Sequence, residues 1–209
     1  VEKNWDVTSV SLTVPEQCKQ EKAVRYLSLD LTKPSEAKTL LGENFNYVVN
    51  LGGYIDHKLF QHGGRELIDA HFKAVQNLVE VIPRESLKCF VQIGSSDEYG
   101  NATSPQNEDL RENPISPYSL GKVASTHFLQ MLHQTGSYPV VVLRLFLTYG
   151  PGQDAGRFLP QIIKGCFSAE DFPTSQGEQL RDFCYIDDSV SGIIKSLECP
   201  IALGEVINI

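Results

Sequence analysis

Residues 90–100 read FVQIGSSDEYG. The run starts apolar one residue earlier, at Cys89, and breaks at Gly94, Ser95 and Ser96 before turning polar. A short, nearly continuous apolar run without strict alternation is the pattern of a strand buried on both faces of a parallel sheet. Ligands of open α/β sheets bind beyond the carboxyl ends of such strands. A hydroxyl at Ser95 is therefore placed to hydrogen-bond a substrate oxygen, while the same Ser-Ser-Asp sequence also suits a helix cap or turn.

Working outward, DVTSVSLT (6–13), AVRYLSL (23–29), YVVNLGG (47–53), PVVVLRLF (139–146) and EVINI (205–209) read as further strands. The stretches between them have helical periodicity: PSEAKTLL (34–41), RELIDAHFKAVQNLVEVI (65–82) and a helix from about Pro117 through SLGKVASTHFLQMLHQ (119–134). Alternating strands and helices predict a doubly wound α/β parallel sheet. After YGPGQD the composition changes: RFLPQIIKGCF (157–167) reads as a short helix and DFPTSQGEQ (171–179) as a turn-rich insertion. RDFCYIDD (181–188) restores an extended segment, and DSVSGIIKSLE (188–198) reads as a helix capped near Asp187, Asp188 or Ser189. The expected organisation is a dinucleotide-binding domain over 1–150, a substrate-domain segment over 151–186, and a helix and strand returning to the first domain over 187–209.

The chain has 209 residues, 41% of them hydrophobic and 21% charged, with a formal charge of -8. That is the composition of one ordinary globular core, with no basic field to attract nucleic acid or an anionic membrane. No apolar run approaches the ~20 residues of a membrane span. Cys18, Cys89, Cys166, Cys184 and Cys199 form no CxxC pair and no Cys/His cluster, which argues against zinc and for reduced thiols in a cytoplasmic protein. His57, His62 and His71 share one region, but histidines in a loop and on a helix are more often packing or surface residues than ligands.

YSLGK (118–122) carries the second chemical signal. Residues four apart on a helix share a face, so Tyr118 and Lys122 can lie together. An ammonium beside a phenol favours the phenolate and is expected to lower the Tyr118 pKa toward the range useful for proton transfer.

Taken in order, VVNLGG, IGSSDEYG, PYSLGK, LRLFLTYGPGQ, RDFCYIDD and GEVINI resemble the extended short-chain dehydrogenase/reductase family, in particular its nucleotide-sugar epimerases, dehydratases and ketoreductases. The resemblance covers nearly the whole chain. It implies that Tyr118 is the acid/base, that Lys122 also holds a nicotinamide ribose, and that Ser95 bonds the reacting sugar oxygen, with Ser96 beside it in the substrate site. It further implies that Asp30 and Leu31 lie beside the adenine and that Leu51, Gly52 and Gly53 pass along the cofactor, NAD or NADP. Arg181 resembles the arginine that clamps the sugar-nucleotide diphosphate, a task suited to a bidentate guanidinium. For Asp30 the alternative is a cap ahead of TKPSEA, and for Arg181 an ion pair with Asp187 or Asp188.

Three departures qualify the resemblance. The family's first strand and G-x-x-G-x-x-G turn are not in the sequence, DVTSVSLT resembling its second strand, so a preceding segment is expected and the 209 residues alone are expected to bind NAD weakly. Leu147 and His71 stand where relatives often carry asparagine. Ser96 stands where the 4,6-dehydratases carry the first of an acidic pair, and a hydroxyl cannot replace a carboxyl as general acid. The expected activity is accordingly a 4-keto-6-deoxyhexose reductase or 4-epimerase acting on a nucleotide-diphosphate sugar, with SSDEYG resembling reductases of bacterial surface polysaccharide synthesis. A 4,6-dehydratase and a non-catalytic dinucleotide-fold regulator are the alternatives. The resemblance also implies a homodimer, with Phe72, Val79, Phe128 and Met131 as candidate contacts.

Overall fold

The computed structural model describes residues 4–168, 173 and 176–209. Its strands are β1 (Val7–Ser11), β2 (Val24–Ser28), β3 (Tyr47–Asn50), β4 (Cys89–Ser95), β5 (Val140–Leu145), β6 (Leu147–Tyr149), β7 (Phe183–Tyr185) and β8 (Val206–Asn208). The α-helices are α1 (Pro34–Ala37), α2 (Gly64–Ile68), α3 (Ala74–Val81), α4 (Pro117–Gly136), α5 (Phe158–Ser168) and α6 (Ile186–Leu197). Every strand pairing among the described residues is parallel.

The central sheet has the order β3-β4-β5-β8. Side chains alternate across a strand, and here the alternation divides the core. Phe90, Val140 and Val142 face α3 and Leu129 of α4, whereas Cys89, Val91, Val141 and Leu143 face Leu197 of α6. Helices therefore cover both faces, the doubly wound arrangement expected. Phe90 is fully buried, and truncating such a side chain to alanine costs about 3–5 kcal/mol.

Strands β1 and β2 form a separate parallel pair. They still share the core, since Val10, Leu27, Leu29 and Leu31 pack on the same cluster as Val48 and Phe90. Near the start of β1, Trp5 stacks on Tyr47 of β3, with ring centroids 5.2 Å apart. Strands β6 and β7 make a third pair beyond β5.

Two local expectations are corrected. The periodic stretch 65–82 is not one α-helix: α2 and α3 are separated by a π-helical turn over Asp69–Lys73. Helix α6 starts at Ile186 with Tyr185 as its cap and no side-chain cap, so Asp187 and Asp188 sit inside the first turn, where their charges favour the helix dipole. The turn-rich stretch around Pro173 lies in part outside the described residues.

Candidate active site

Parallel pairing brings the carboxyl ends of β3, β4 and β5 to one edge, with Asn50 opposite Gln92 and Ser95 opposite Leu145. A cleft of about 550 Å³ opens there. Its walls are the Leu51–Ile55 loop after β3, Ile93–Ser95 at the end of β4, Tyr118 and Lys122 of α4, and residues from 145–149 and 153–159.

Ser116 caps α4, accepting the backbone N–H of Ser119 at 3.1 Å, and Pro117 occupies the first turn, where its missing N–H costs nothing. The buried stripe that follows, Tyr118, Gly121, Lys122, Ser125, Thr126 and Leu129, recurs at helical spacing and turns the phenol and the ammonium toward the end of β4. Ser95 ends β4 and caps the short 3₁₀ turn Ser96–Tyr99: its Oγ accepts the N–H of Asp97 at 3.1 Å. Glu98 returns to accept the Ser95 N–H at 2.9 Å. The second Glu98 oxygen accepts from Thr126 Oγ1 at 2.9 Å and from Arg144 Nε at 3.0 Å, with Glu98 and Arg144 both fully buried. Arg144 also donates to Glu112 at 2.5 Å. The Ser95 hydroxyl is thus both the cap of this turn and a group of the cleft wall, held on a rigid mount.

A polar ladder runs beneath the cleft. Asn50 Oδ1 accepts the Gly52 N–H at 3.0 Å, and Asn50 Nδ2 donates to Gln92 Oε1 at 2.8 Å. Gln92 Nε2 and Lys122 Nζ both donate to the Ile93 carbonyl, at 3.0 and 2.7 Å.

The electrostatics differ from the simple expectation. Burial raises the Tyr118 phenol above its ordinary pKa; a hydrogen-bonding contribution from Ser95 lowers it, Asp97 and Glu98 raise it, and Arg157 lowers it. Lys122 is not among these causes: its ammonium lies 5.9 Å from the centre of the phenol ring and is bonded to Ile93. The expected lysine-lowered tyrosine is therefore corrected to a burial-raised one. Burial also brings Lys122 down to about 8, with Glu98 opposing.

Ser95, Tyr118, Lys122, Leu51, Gly52 and Gly53 converge on the cleft, and Leu147 also lines it. Asp30, Leu31, Ser96 and Arg181 do not line it. Asp30 Oδ1 instead accepts from the N–H and hydroxyl of Thr32 at 3.0 and 2.6 Å in a local turn, and the helix cap expected as its alternative is not formed, since α1 is capped by Lys33 without a side-chain bond. Leu31 packs into the core, and its carbonyl accepts from Asn77 at 2.8 Å. Arg181 is exposed and donates to the Leu180 carbonyl at 2.8 Å, with no ion pair to Asp187 or Asp188 among the described residues. Among the described residues no group of three or more His, Cys, Asp or Glu side chains is placed to hold a metal ion, and no helix is long and apolar enough to cross a membrane. Arg157, a cation of the cleft wall, is the candidate that sequence reasoning missed; its one signal is a basic residue in the turn-rich stretch that follows a strand end.

A doubly wound parallel sheet with serine, tyrosine and lysine meeting beyond its strand ends defines a protein of the short-chain dehydrogenase/reductase type. The chain belongs to the NAD dependent epimerase/dehydratase family, whose model matches residues 1–209. It is 32% identical over 140 residues to an uncharacterized UDP-glucose epimerase, YtcB, of Bacillus subtilis (strain 168), a match covering 66% of this chain and 44% of the relative. It is 26% identical over 196 residues to a UDP-glucuronate 4-epimerase of Thermodesulfobacterium geofontis (strain OPF15), covering 92% and 60%. Among solved structures, the UDP-glucuronic acid 4-epimerase of Bacillus cereus in complex with UDP-glucuronic acid and NAD matches with a TM-score of 0.82 at 26% identity, over 100% of this chain and 71% of that one. The chain spans about half the length of the curated relatives it matches.

Proposed function

We propose that the protein is an NAD(P)-dependent enzyme that acts at C4 of a nucleotide-diphosphate sugar by hydride and proton transfer. The observation that carries this reading is the meeting of Ser95, Tyr118 and Lys122 in one cleft beside the Leu51–Gly53 stretch. The cleft suits the nicotinamide end of a dinucleotide: Gly52 and Gly53 present bare backbone, and the Lys122 ammonium, with three donors, has spent one on Ile93. When bound, the nicotinamide supplies or receives the hydride.

The residues of this chain do the rest. Ser95 orients the sugar oxygen by hydrogen bonding, Tyr118 exchanges the proton at that oxygen, and Lys122 holds the ribose. Burial keeps the phenol protonated, which suits a proton donor to the oxygen of a keto sugar. Arg157 adds a cation for an anionic part of the substrate. Asp30 and Leu31 are assigned to the adenine end, outside the cleft, Ser96 to the substrate site beside Ser95, and Arg181 to the substrate diphosphate. In this reading residues 1–150 form the dinucleotide-binding portion, 151–186 a substrate segment, and 187–209 the return to the sheet.

One argument ranks the reactions: relatives named as epimerases and as 4,6-dehydratases both match along most of the chain, at 92% and 80%, but Ser96 lacks the carboxyl with which a 4,6-dehydratase would begin its acidic pair. The 4-epimerase and 4-ketoreductase readings therefore stand ahead of the dehydratase. Incubation with NAD and UDP-glucose or UDP-glucuronic acid should give the C4 epimer, and a 4-keto nucleotide sugar with NADH should give the alcohol. Formation of neither, with NAD binding intact, would favour the regulatory alternative. A cytoplasmic homodimer through α3 and α4 completes the proposal, with Phe72, Val79, Phe128 and Met131 as its candidate contacts; Met131 is exposed, while Val79 and Phe128 also pack on the core. Sedimentation as a monomer at micromolar concentration would overturn the dimer.

A further inference from the structure

His71 stands where three elements of the cleft meet. It is 3% exposed and lies in the π-helical turn, a form that helices adopt mostly as single-turn bulges and often at functional sites. Its ring packs edge to face on Tyr118, with centroids 4.9 Å apart and planes at 87°. Nε2 is 3.0 Å from the Tyr54 carbonyl; a carbonyl only accepts, so Nε2 carries the proton and Nδ1 is bare. Nδ1 is buried without a partner. Burial, and then the Lys122 charge, bring the imidazole pKa down to about 4, so the ring is neutral at neutral pH.

The surroundings leave the ring no other place. Gly53 lies directly over it with φ of 99°, and a Cβ there would overlap Cε1 and Nδ1 of His71. Behind it α4 approaches through Gly121, where a Cβ would stand 3.0 Å from the His71 Cβ. Ser125 Oγ donates to the His71 carbonyl at 2.9 Å and ties the π turn to α4.

We infer that His71 is a positioning residue, a neutral wedge between the Gly53–Tyr54 loop and the Tyr118 ring that sets where the phenol stands against the cleft wall. Gly53 is glycine on two counts: its φ of 99° suits no other residue well, and the wedge occupies the space of a side chain. This rests on the reading above only in taking Tyr118 as the proton-transfer group. Asparagine at position 71 withdraws the ring and, ending about where Nδ1 stands, gives up the Nε2 bond to Tyr54 as well, whereas phenylalanine keeps a ring but not the donor.

The test is a cycle of Gly53→Ala and His71→Asn, with His71→Phe as a third variant, followed by kinetics on nucleotide sugar and by thermal unfolding of the protein. Misplacing a reacting group by about 1 Å can cost ~10²-fold, so His71→Asn should lower kcat about 10- to 100-fold with substrate KM little changed. His71→Phe should lose less kcat than His71→Asn. Gly53→Ala should be far more damaging in the wild-type background than in the His71→Asn background, in kcat/KM and in melting temperature alike. The inference is overturned if His71→Asn keeps kcat within about twofold, or if Gly53→Ala costs the same in both backgrounds, the additivity expected of sites that do not touch. Should the wild-type protein turn over no nucleotide sugar, the functional reading fails separately, and additive melting shifts in the cycle would still refute the wedge.

Discussion

Lys122 and Gln92 share one acceptor: the lysine Nζ and the glutamine Nε2 lie 2.7 and 3.0 Å from the carbonyl oxygen of Ile93. The carbonyl belongs to the strand that ends in Ser95, so the ammonium is held to the mount of the Ser95 hydroxyl rather than to the phenol. Its folded pKa is depressed from 10.5 to about 8 by burial. For a depressed lysine the unfolded state binds more protons between those values, so stability rises with pH across that window and falls again as pH is lowered toward 8. Denaturant unfolding of the wild-type protein should show this gain relative to Lys122→Met between pH 8 and 10.5. Parallel curves for the two proteins would show that the ammonium is not desolvated. Lys122→Met should also weaken cofactor binding, measured by calorimetry.

Tyr118→Phe removes one oxygen and keeps the ring that packs on His71 at 4.9 Å. Loss of a general acid typically costs about 10²–10⁴-fold, and turnover should fall on that order with the circular dichroism spectrum and most cofactor affinity retained. Near-normal turnover would make the Tyr118–Lys122 spacing structural.

Glu98 is the anchor of the β4 end, with one oxygen on the Ser95 N–H and the other on Thr126 and Arg144. Breaking a buried ion pair by removing one charge costs about 3–5 kcal/mol. Glu98→Gln should destabilise the fold on that scale in denaturant unfolding, whereas Thr126→Val, which removes one neutral donor, should cost about 1 kcal/mol. A loss in Glu98→Gln no larger than that of Thr126→Val would mean that Glu112 alone satisfies Arg144.

The parts of this site that were legible in the sequence are those governed by periodicity. Apolar runs marked the strands, Pro117 marked the start of α4, and a spacing of four placed Tyr118 and Lys122 on one face. What periodicity does not encode was missed. A π turn costs one extra residue and leaves the apolar pattern of 65–82 intact, so the placement of His71 against Tyr118 had no signature. The sign of the Tyr118 shift depends on burial, which spacing does not report. Asp30 illustrates the reverse case: an acidic residue after a strand fits both a place beside the adenine and a cap for the next helix, and the sequence did not show that its side chain would bond Thr32 in a local turn instead of capping α1.

Arg157 offers the last test, because it is exposed, lines the cleft and lowers the Tyr118 pKa through its charge. Two consequences follow from one guanidinium. An anionic substrate group bonded to it gains a charge-assisted hydrogen bond, worth about 1.5–3 kcal/mol, so Arg157→Met should raise KM for a nucleotide sugar about 10- to 100-fold. Removing the cation also lets the phenol rise further, and the limb of the pH–rate profile that reports Tyr118 should move to higher pH. The two readouts separate roles. A KM effect with an unmoved limb would place Arg157 on the substrate but away from Tyr118, and a moved limb with unchanged KM would leave it an electrostatic neighbour of the phenol with no hold on the substrate.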